Sequence, residues 1–412
     1  MVINDNEMAS QQAISILKTA MKKAIFCLLT FSVVLCSCGD ASLKRSSEEV
    51  LWQSTQYKLE ITDTLHVPYL ATQIQLYDTS PDKTKHLIMS TLEGNEFAVI
   101  DNEGQVLAIH RPTGQGEGLA GEFIFSLGFV GNDQVVVNST RGYFIYDAIT
   151  TDFIGAYHEK TALKGFGGFH SLNIESFEKD GELHFASFLK GTLDDIDIFK
   201  FKKADLDVYE PITFMNTVNN EISTNFGVTP TSLYRRHDYH FEQLYSIFDF
   251  NPEKREFVVL NNPSDELSIW NEDSELIKEI PFRPEHFKLP YRVSYGHTEL
   301  SDAAQIVNSK FTAMKLSGNQ ALLSYRAGLT EEDYNALSSY AELPQLFKQK
   351  MHNYAFIVNV ETGEVTPEFK LPKTAVGIAA YNSNDDVILY TSDELETEST
   401  FAFYRARIVL EE

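Results

Sequence analysis

The sequence has 412 residues, of which 59 are Asp or Glu and 34 are Lys or Arg, so its formal net charge at pH 7 is -25. So acidic a surface repels phosphate backbones, and we expect no nucleic-acid partner. All three cysteines lie among the first 38 residues, so the rest of the chain has no thiol for a disulfide, a Cys-ligated metal or a cysteine nucleophile.

Residues 1–37 have the pattern of an export signal. In "MKKAIFCLLTFSVVLCSC" (21–38) two lysines precede an uncharged, mostly apolar run that is too short to span a bilayer comfortably. The run ends in a sequence similar to a bacterial lipobox, which predicts that Cys38 is lipidated and becomes the new N-terminus. Residues before Met21 are polar, so translation is expected to start at Met21. A signal peptide cut elsewhere and an N-terminal membrane helix are the alternatives.

After a lipidated linker at 38–50, residues 51–412 are expected to form one all-β domain. Short apolar runs repeatedly end at an acidic residue or Asn, and a polar turn then leads into a second apolar run. Examples are residues 97–110, 135–158, 255–280 and 354–371, where the residues before the turn are Asp101, Asp147, Asn271 and Glu361. A hairpin unit that recurs at uneven intervals favours a β-propeller over a solenoid. Six blades of four antiparallel strands fit the length, and seven would also fit.

Three segments stand apart from the repeated hairpins. The runs at 51–61 and 401–412 are expected to pair within one blade, which would close the ring and leave no open edge. "TEEDYNALSSYAELPQLFKQKM" (330–351) starts like a capping box and has helical spacing, which predicts a small helical insertion. Residues 213–232 are rich in Asn and Thr and are expected to form a long loop.

"GQGEGLAGEF" (114–123) contains a formal G-x-G-x-x-G at Gly116, Gly118 and Gly121. A dinucleotide site needs a helix after the glycines, whereas the following "EFIFSLGFVGNDQVVVN" alternates as a strand does. The sequence therefore predicts a glycine-rich crossover between blades. Its residues would be Gly114, Gly116, Gly118, Gly121, Glu122 and Phe123, with positive φ angles that glycine adopts at low cost.

The stretch "HRPTGQGEGLAGEFIFSLGFV" (110–130) resembles the crossover element, usually G-x-G-P-G-E-F, of TolB-like six-bladed β-propeller proteins. Gly114, Gly116, Glu122 and Phe123 match by type; the usual Pro is absent, and the interval before Glu122 is longer. The resemblance implies a propeller on a lipid anchor. It carries no catalytic residues to this chain.

The common catalytic devices have no clear counterpart in the sequence. There is no G-x-S-x-G, and His237 and His240 have a metal-ligand spacing only on a helix. Asp194, Asp195 and Asp197 lack the glycine and distal Glu of a calcium loop. We therefore predict no metal and no cofactor.

Candidate ligand-binding residues come from two aromatic, Gly- and His-containing stretches and from the glycine loop. "KGFGGFHSLN" (164–173) contains His170, "PYRVSYGHTEL" (290–300) contains Tyr295 and His297, and Arg111 precedes the glycine loop. Polar side chains near the start of inner strands would converge on the axial channel, the usual ligand site of propellers. The alternative is that the histidines form turn hydrogen bonds and that Arg111 is a surface cation.

These features predict an exported lipoprotein held at a bacterial membrane, expected to be the outer membrane. Both the periplasmic face and the cell-surface face are compatible with the sequence. Its propeller would act as a binding or scaffold module for an envelope protein or a small molecule. The alternatives are a propeller hydrolase or lyase with its site at the axial channel mouth, and a purely structural envelope component.

Overall fold

The computed structural model describes residues 50–69, 74–90, 96–158, 174–188, 202–240, 245–289, 291–295, 307–330, 351–382, 385–391 and 401–411, and several single residues between 332 and 350. Cys38 and the rest of the predicted leader and linker before residue 50 lie outside the described residues. Among those that are described, no helix is both long enough and apolar enough to cross a membrane.

Six sheets form a six-bladed β-propeller, as predicted. Two strands come first: β1 (Leu51–Trp52) and β2 (Tyr57–Val67). Blades 1 to 3 are built from β3 (Ile74–Thr79), β4 (Lys85–Ser90), β5 (Phe97–Asp101) and β6 (Val106–His110); β7 (Ile124–Val130), β8 (Gln134–Ser139), β9 (Gly142–Asp147) and β10 (Phe153–Tyr157); and β11 (Ile174–Lys179), β12 (Glu182–Phe188), β13 (Ile212–Asn216) and β14 (Ile222–Asn225).

The second half of the chain forms blades 4 to 6 and one small ribbon. A two-stranded ribbon pairs β15 (Tyr239–His240) with β20 (Val293–Ser294). The blades are built from β16 (Tyr245–Asn251), β17 (Glu256–Asn262), β18 (Glu266–Asn271) and β19 (Leu276–Pro281); β21 (Lys310–Ser317), β22 (Gln320–Arg326), β23 (Asn353–Asn359), β24 (Glu364–Val365) and β25 (Phe369–Lys370); and β26 (Ala375–Tyr381), β27 (Asp386–Thr391) and β28 (Phe401–Leu410). Helical elements include a 3-10 helix at Lys203–Asp207 and α1 (Leu233–Arg236).

The first strand of each blade lies innermost, and the inner strands contact their neighbours from β16 through β21, β26, β3 and β7 to β11. The second and third strands of a blade are packed on both faces by the adjacent blades. This explains why β4, β5, β8 and β9 are buried almost along their whole length and why their sequences are continuous apolar runs. The core is therefore a set of apolar layers between blades, each shared by two sheets.

The ring is closed by pairing of the first long strand with the last, as predicted. β2 lies antiparallel to β28, with Leu65 opposite Phe403, and forms the outermost strand of blade 6. The predicted single strand at 51–61 is wrong in one respect, because β1 leaves this sheet and pairs parallel with β24 in blade 5. The N-terminal segment thus connects two blades.

Five of the described hairpins turn at an Asx residue that ends the third strand of its blade. The side-chain oxygen accepts hydrogen bonds from backbone N–H groups further along the turn, at Asp101, Asp147, Asn216, Asn271 and Asn359. Glu361 was expected to mark the turn of blade 5, and this is wrong. Asn359 accepts from Glu361 N at 2.9 Å, since its shorter side chain reaches the local backbone.

The two predicted insertions have different outcomes. Thr330 Oγ1 accepts a hydrogen bond from Asp333 N at 3.0 Å, and residues 332 and 333 are helical, which is the predicted start of the helical insertion. The loop predicted at 213–232 is wrong, because most of β13 and all of β14 lie there as a hairpin of blade 3. Asn216, Asn219 and Asn220 form the turn between the two strands, and Asn225 ends β14 opposite Ile212, so none of them prevents pairing.

Candidate functional site

A cavity of about 430 Å³ lies on the propeller axis, toward the hairpins that follow the inner strands. The inner strand of every blade contributes to its wall. The lining residues on these strands are Asp78, Thr79, Phe129, Glu175, Ser176, Asp249, Phe250, Asn251, Lys315, Leu316, Ser317, Ala380 and Tyr381. This volume falls in the range of small-molecule sites, about 300 to 1,000 Å³.

Two aspartates occupy equivalent positions in blades 1 and 4. Asp78 on β3 accepts hydrogen bonds from Thr79 N and from Phe129 N of the next blade, both at 2.7 Å. Asp249 on β16 accepts from Phe250 N and from Leu316 N of the next blade, both at 2.8 Å. Each carboxylate therefore joins two neighbouring inner strands at the cavity wall.

The electrostatics of the cavity are set by these carboxylates and a lysine. Burial raises the pKa of Asp78 to about 6, although the backbone hydrogen bond from Phe129 and the charge of Lys315 act in the opposite direction. Burial likewise raises the pKa of Asp249, against the charge of Lys315. The charge of Asp249 contributes to the raised pKa of Asp78, so the two aspartates titrate as a linked pair.

The cavity offers charge of both signs, hydroxyl groups and aromatic surface within one small volume. Lys83 and Lys315 supply ammonium groups, Asp249 and Glu175 supply carboxylates, and Phe129 adds an aromatic ring. Such a wall can hold a small polar molecule by hydrogen bonds and ion pairs, with the aromatic groups covering its apolar parts.

The aspartates of the cavity were missed by sequence reasoning, although the sequence contains a signal. "YDTSPDK" (77–83) and "FDFNPEK" (248–254) share the order aromatic, Asp, any residue, Ser or Asn, Pro, acid, Lys. The two copies end the inner strands of blades three apart in the ring. A search for internal repeats at a spacing of three blades would have found both aspartates.

The glycine loop lies between β6 and β7 and is fixed to blade 2. Gly114, Gly116, Gly118 and Gly121 have φ angles of 132, 146, 73 and 97°. Arg141 Nη1 donates to the carbonyl oxygens of Gly116 and Leu119 at 3.0 and 2.6 Å, and the Tyr146 hydroxyl donates to that of Gly118 at 2.8 Å. The loop leads into strand β7, so no helix N-terminus follows it. Glu122 and Phe123, at its end, are exposed.

The other predicted ligand-binding residues do not line the axial cavity in the described part of the chain. Arg111 is exposed and donates to Glu96 at 2.8 Å. Tyr295 packs beside a cluster that includes Tyr234, donates to its carbonyl oxygen at 2.9 Å, and has a pKa raised by burial to about 12. His170 and His297 lie outside the described residues.

A second group of ionisable side chains lies between blades 4 and 5. Glu285, His286 and Glu368 each place a possible metal-ligand atom within 4.8 Å of the other two. The His286 ring is stacked on Tyr354 at 4.4 Å, and its Nδ1 contacts Glu368. Glu368 is 82 positions from His286 in sequence, so no local spacing could have predicted this cluster.

Comparisons with known proteins show the fold alone. No family model matches the chain, and no curated protein matches its sequence. A protein of Bacteroides fragilis NCTC 9343 that is named as exported is similar in structure with a TM-score of 0.51 and 11% identity, over 86% of this chain and 96% of that one.

Two further structures are more distant. The extracellular domain of a one-component system from B. thetaiotaomicron has a TM-score of 0.40 and 11% identity, over 81% of this chain and only 33% of that one. A gluconolactonase from Xanthomonas campestris has a TM-score of 0.42 and 11% identity, over 89% of this chain and 99% of that one.

Proposed function

We propose that the protein is an exported, lipid-anchored β-propeller that binds a small polar molecule in its axial cavity. The observation that carries the proposal is the cavity itself, since inner strands from all six blades bring charged, polar and aromatic side chains to one volume on the axis. A cavity built by every blade has a fixed shape, and preorganised polar groups bind with a lower entropic cost.

Export and anchoring are supported by the sequence of the leader. The charged and apolar parts of residues 21–37 have the order of a secretory signal, and Cys38 follows in the lipobox-like position. The similar protein of Bacteroides fragilis is named as exported. The TolB-like assignment rests on the glycine loop, which forms the crossover from blade 1 to blade 2. Mass spectrometry of membrane-extracted protein should find an acylated N-terminal Cys38, and unmodified protein in the soluble fraction would contradict the anchor.

Ligand binding can be tested by thermal shift with a panel of amino acids, small sugars and organic acids. We expect at least one class to raise the melting temperature of the wild type, because a ligand that binds the folded state stabilises it by mass action. Lys315→Met removes the ammonium group from the cavity and should abolish the shift. Lys373→Met is the matched control, because Lys373 is exposed outside the cavity. Equal shifts in both variants would contradict the proposed site.

The enzyme alternative, a hydrolase or lyase at the same mouth, is favoured by one observation. Burial raises the pKa of Asp78 to about 6 and also raises that of Asp249, and a carboxyl group whose pKa lies near the working pH can serve as a general acid or base. Both aspartates also accept two backbone hydrogen bonds, which is a structural role. Turnover of a panel compound that Asp78→Asn and Asp249→Asn both abolish, with ligand binding retained, would favour the enzyme over the binding module.

A further inference from the structure

We propose that Glu285, His286 and Glu368 form a binding site for a divalent transition metal ion of the Zn²⁺ type. The three side chains converge from two separate parts of the chain, the crossover after β19 and the segment before β25. One imidazole and two carboxylates match the ligands that Zn²⁺ takes, whereas Ca²⁺ and Mg²⁺ prefer oxygen ligands alone. This site is independent of the axial cavity and of its proposed ligand.

Glu368 is held in place by groups around it, as a metal ligand usually is. Its side chain is only 9% exposed. One carboxylate oxygen accepts from the hydroxyl of buried Tyr325, and the other accepts from His286 N at 3.2 Å. The carboxylate therefore keeps its orientation whether or not a metal is bound.

His286 is oriented by its neighbours but is still accessible from outside. Its ring stacks on Tyr354 with an interplanar angle of 9°, while 43% of its side chain is exposed. Its Nδ1 contacts the Glu368 oxygen directly, so two of the three ligand atoms already lie side by side. A metal ion would reach these two atoms from the exposed side of the ring.

The third ligand and an open position complete the site. Glu285 is exposed and lies beside a cavity of about 290 Å³ whose wall also includes Glu368, Arg283 and Trp52. Zn²⁺ commonly takes four ligands, and three from the protein leave one position open. The cavity gives a water molecule or a small anion room at that position, with Arg283 in the same wall.

Isothermal titration with ZnCl₂ tests the site in the full-length protein after EDTA treatment and dialysis. Any cysteine thiol that processing leaves free near the N-terminus is first alkylated, because a thiol would bind Zn²⁺ itself. We expect one Zn²⁺ per chain, with affinity reduced at least tenfold in His286→Ala and in Glu285→Gln. CaCl₂ and MgCl₂ should not compete at equal concentration.

Two variants separate a metal site from a folding effect. Glu285→Gln changes an exposed side chain, so it should retain the wild-type melting temperature without metal. His352→Ala is the matched control, because His352 contacts the same Tyr354 ring edge-on but is outside the three-residue cluster; it should bind Zn²⁺ as the wild type does. No binding by folded wild type, or equal binding by wild type, His286→Ala and Glu285→Gln, would overturn the proposal.

Discussion

At the scale of single residues, the aspartates of the axial cavity combine a structural and an electrostatic role. Each joins the inner strands of two blades through backbone N–H groups, and each is kept from ionising at its usual pH by burial. The same contact that fixes the ring therefore brings ionisable groups to the axis. A hydrogen-bonded carboxylate at this position is useful to the fold and available to a polar ligand.

The raised pKa of Asp78 predicts a pH dependence of stability. Between about pH 4 and 6 the folded protein holds a proton on Asp78 that the unfolded chain has lost, so the free energy of unfolding falls as the pH rises through this window. In Asp78→Asn this decrease in the free energy of unfolding with rising pH is absent. The variant should therefore gain stability relative to wild type from pH 4 to 6, by at most about 3 kcal/mol, because Asp78 is partly exposed and solvent reduces the effect of its charge.

Urea unfolding at several pH values measures this difference. Asp180→Asn, which changes an exposed carboxylate in the first hairpin of blade 3, is the control and should follow the wild type. A constant difference between Asp78→Asn and wild type from pH 4 to 7 would show that Asp78 titrates as it does in the unfolded chain. Asp78→Asn also removes a carboxylate oxygen that accepts from Phe129 N. This change should lower the free energy of unfolding of the variant by a similar amount at every pH.

At the scale of elements, the glycine loop shows a backbone requirement that can be measured. Gly118 has a φ of 73°, and a Cβ atom there would lie 2.9 Å from Phe153 Cγ. Gly118→Ala should destabilise the protein by about 2 to 3 kcal/mol, since a positive φ costs about 1 to 2 kcal/mol and the contact adds to it. Gly131→Ala is the matched control, with a φ of 60° and no atom within 4 Å.

Gly131→Ala should cost only the backbone term, so the two variants should differ by about 1 kcal/mol or more in urea unfolding. Equal destabilisation would show that Phe153 moves away without cost. The loop would then owe its glycines to backbone conformation alone.

Strands were predictable from the sequence where the local pattern of apolar residues and turn residues matches the burial of the strand between blades. Hairpins such as 97–110 show apolar runs of strand length around an Asx turn, and the ring position then follows from repetition. The hairpin of β13 and β14 was missed because its Asn-rich turn dominates the composition, while Ile212 and Phe214 are buried by neighbouring blades. Partners far apart in sequence, such as His286 and Glu368, have no local signal at all.

At the scale of the whole molecule, stability depends on closure by β2. This strand is the outermost of blade 6 and pairs along its full length with β28. A chain that begins at residue 68 would leave β28 as an unpaired edge and expose the face under Leu59 and Leu65. We expect it to aggregate and to lose cooperative unfolding, as seen by light scattering and circular dichroism during heating.

The control for closure is a chain that begins at residue 50, which keeps β1 and β2 and removes only the segment before the first described strand. It should be monomeric and unfold in one transition. A monomeric, cooperative chain from residue 68 onward would mean that the ring is closed by its inner contacts and that β2 is dispensable.

Hydrogen–deuterium exchange, with and without the panel compound that gives the largest thermal shift, tests the central claim of an axial binding site most directly. We predict slower exchange in the peptides that cover residues 77–83, 248–254 and 315–318, which line the cavity or follow its inner strands. Slower exchange confined to residues 159–173 and 296–306, where His170 and His297 lie, would contradict this account. The ligand would then bind the segments that precede β11 and β21 in the chain.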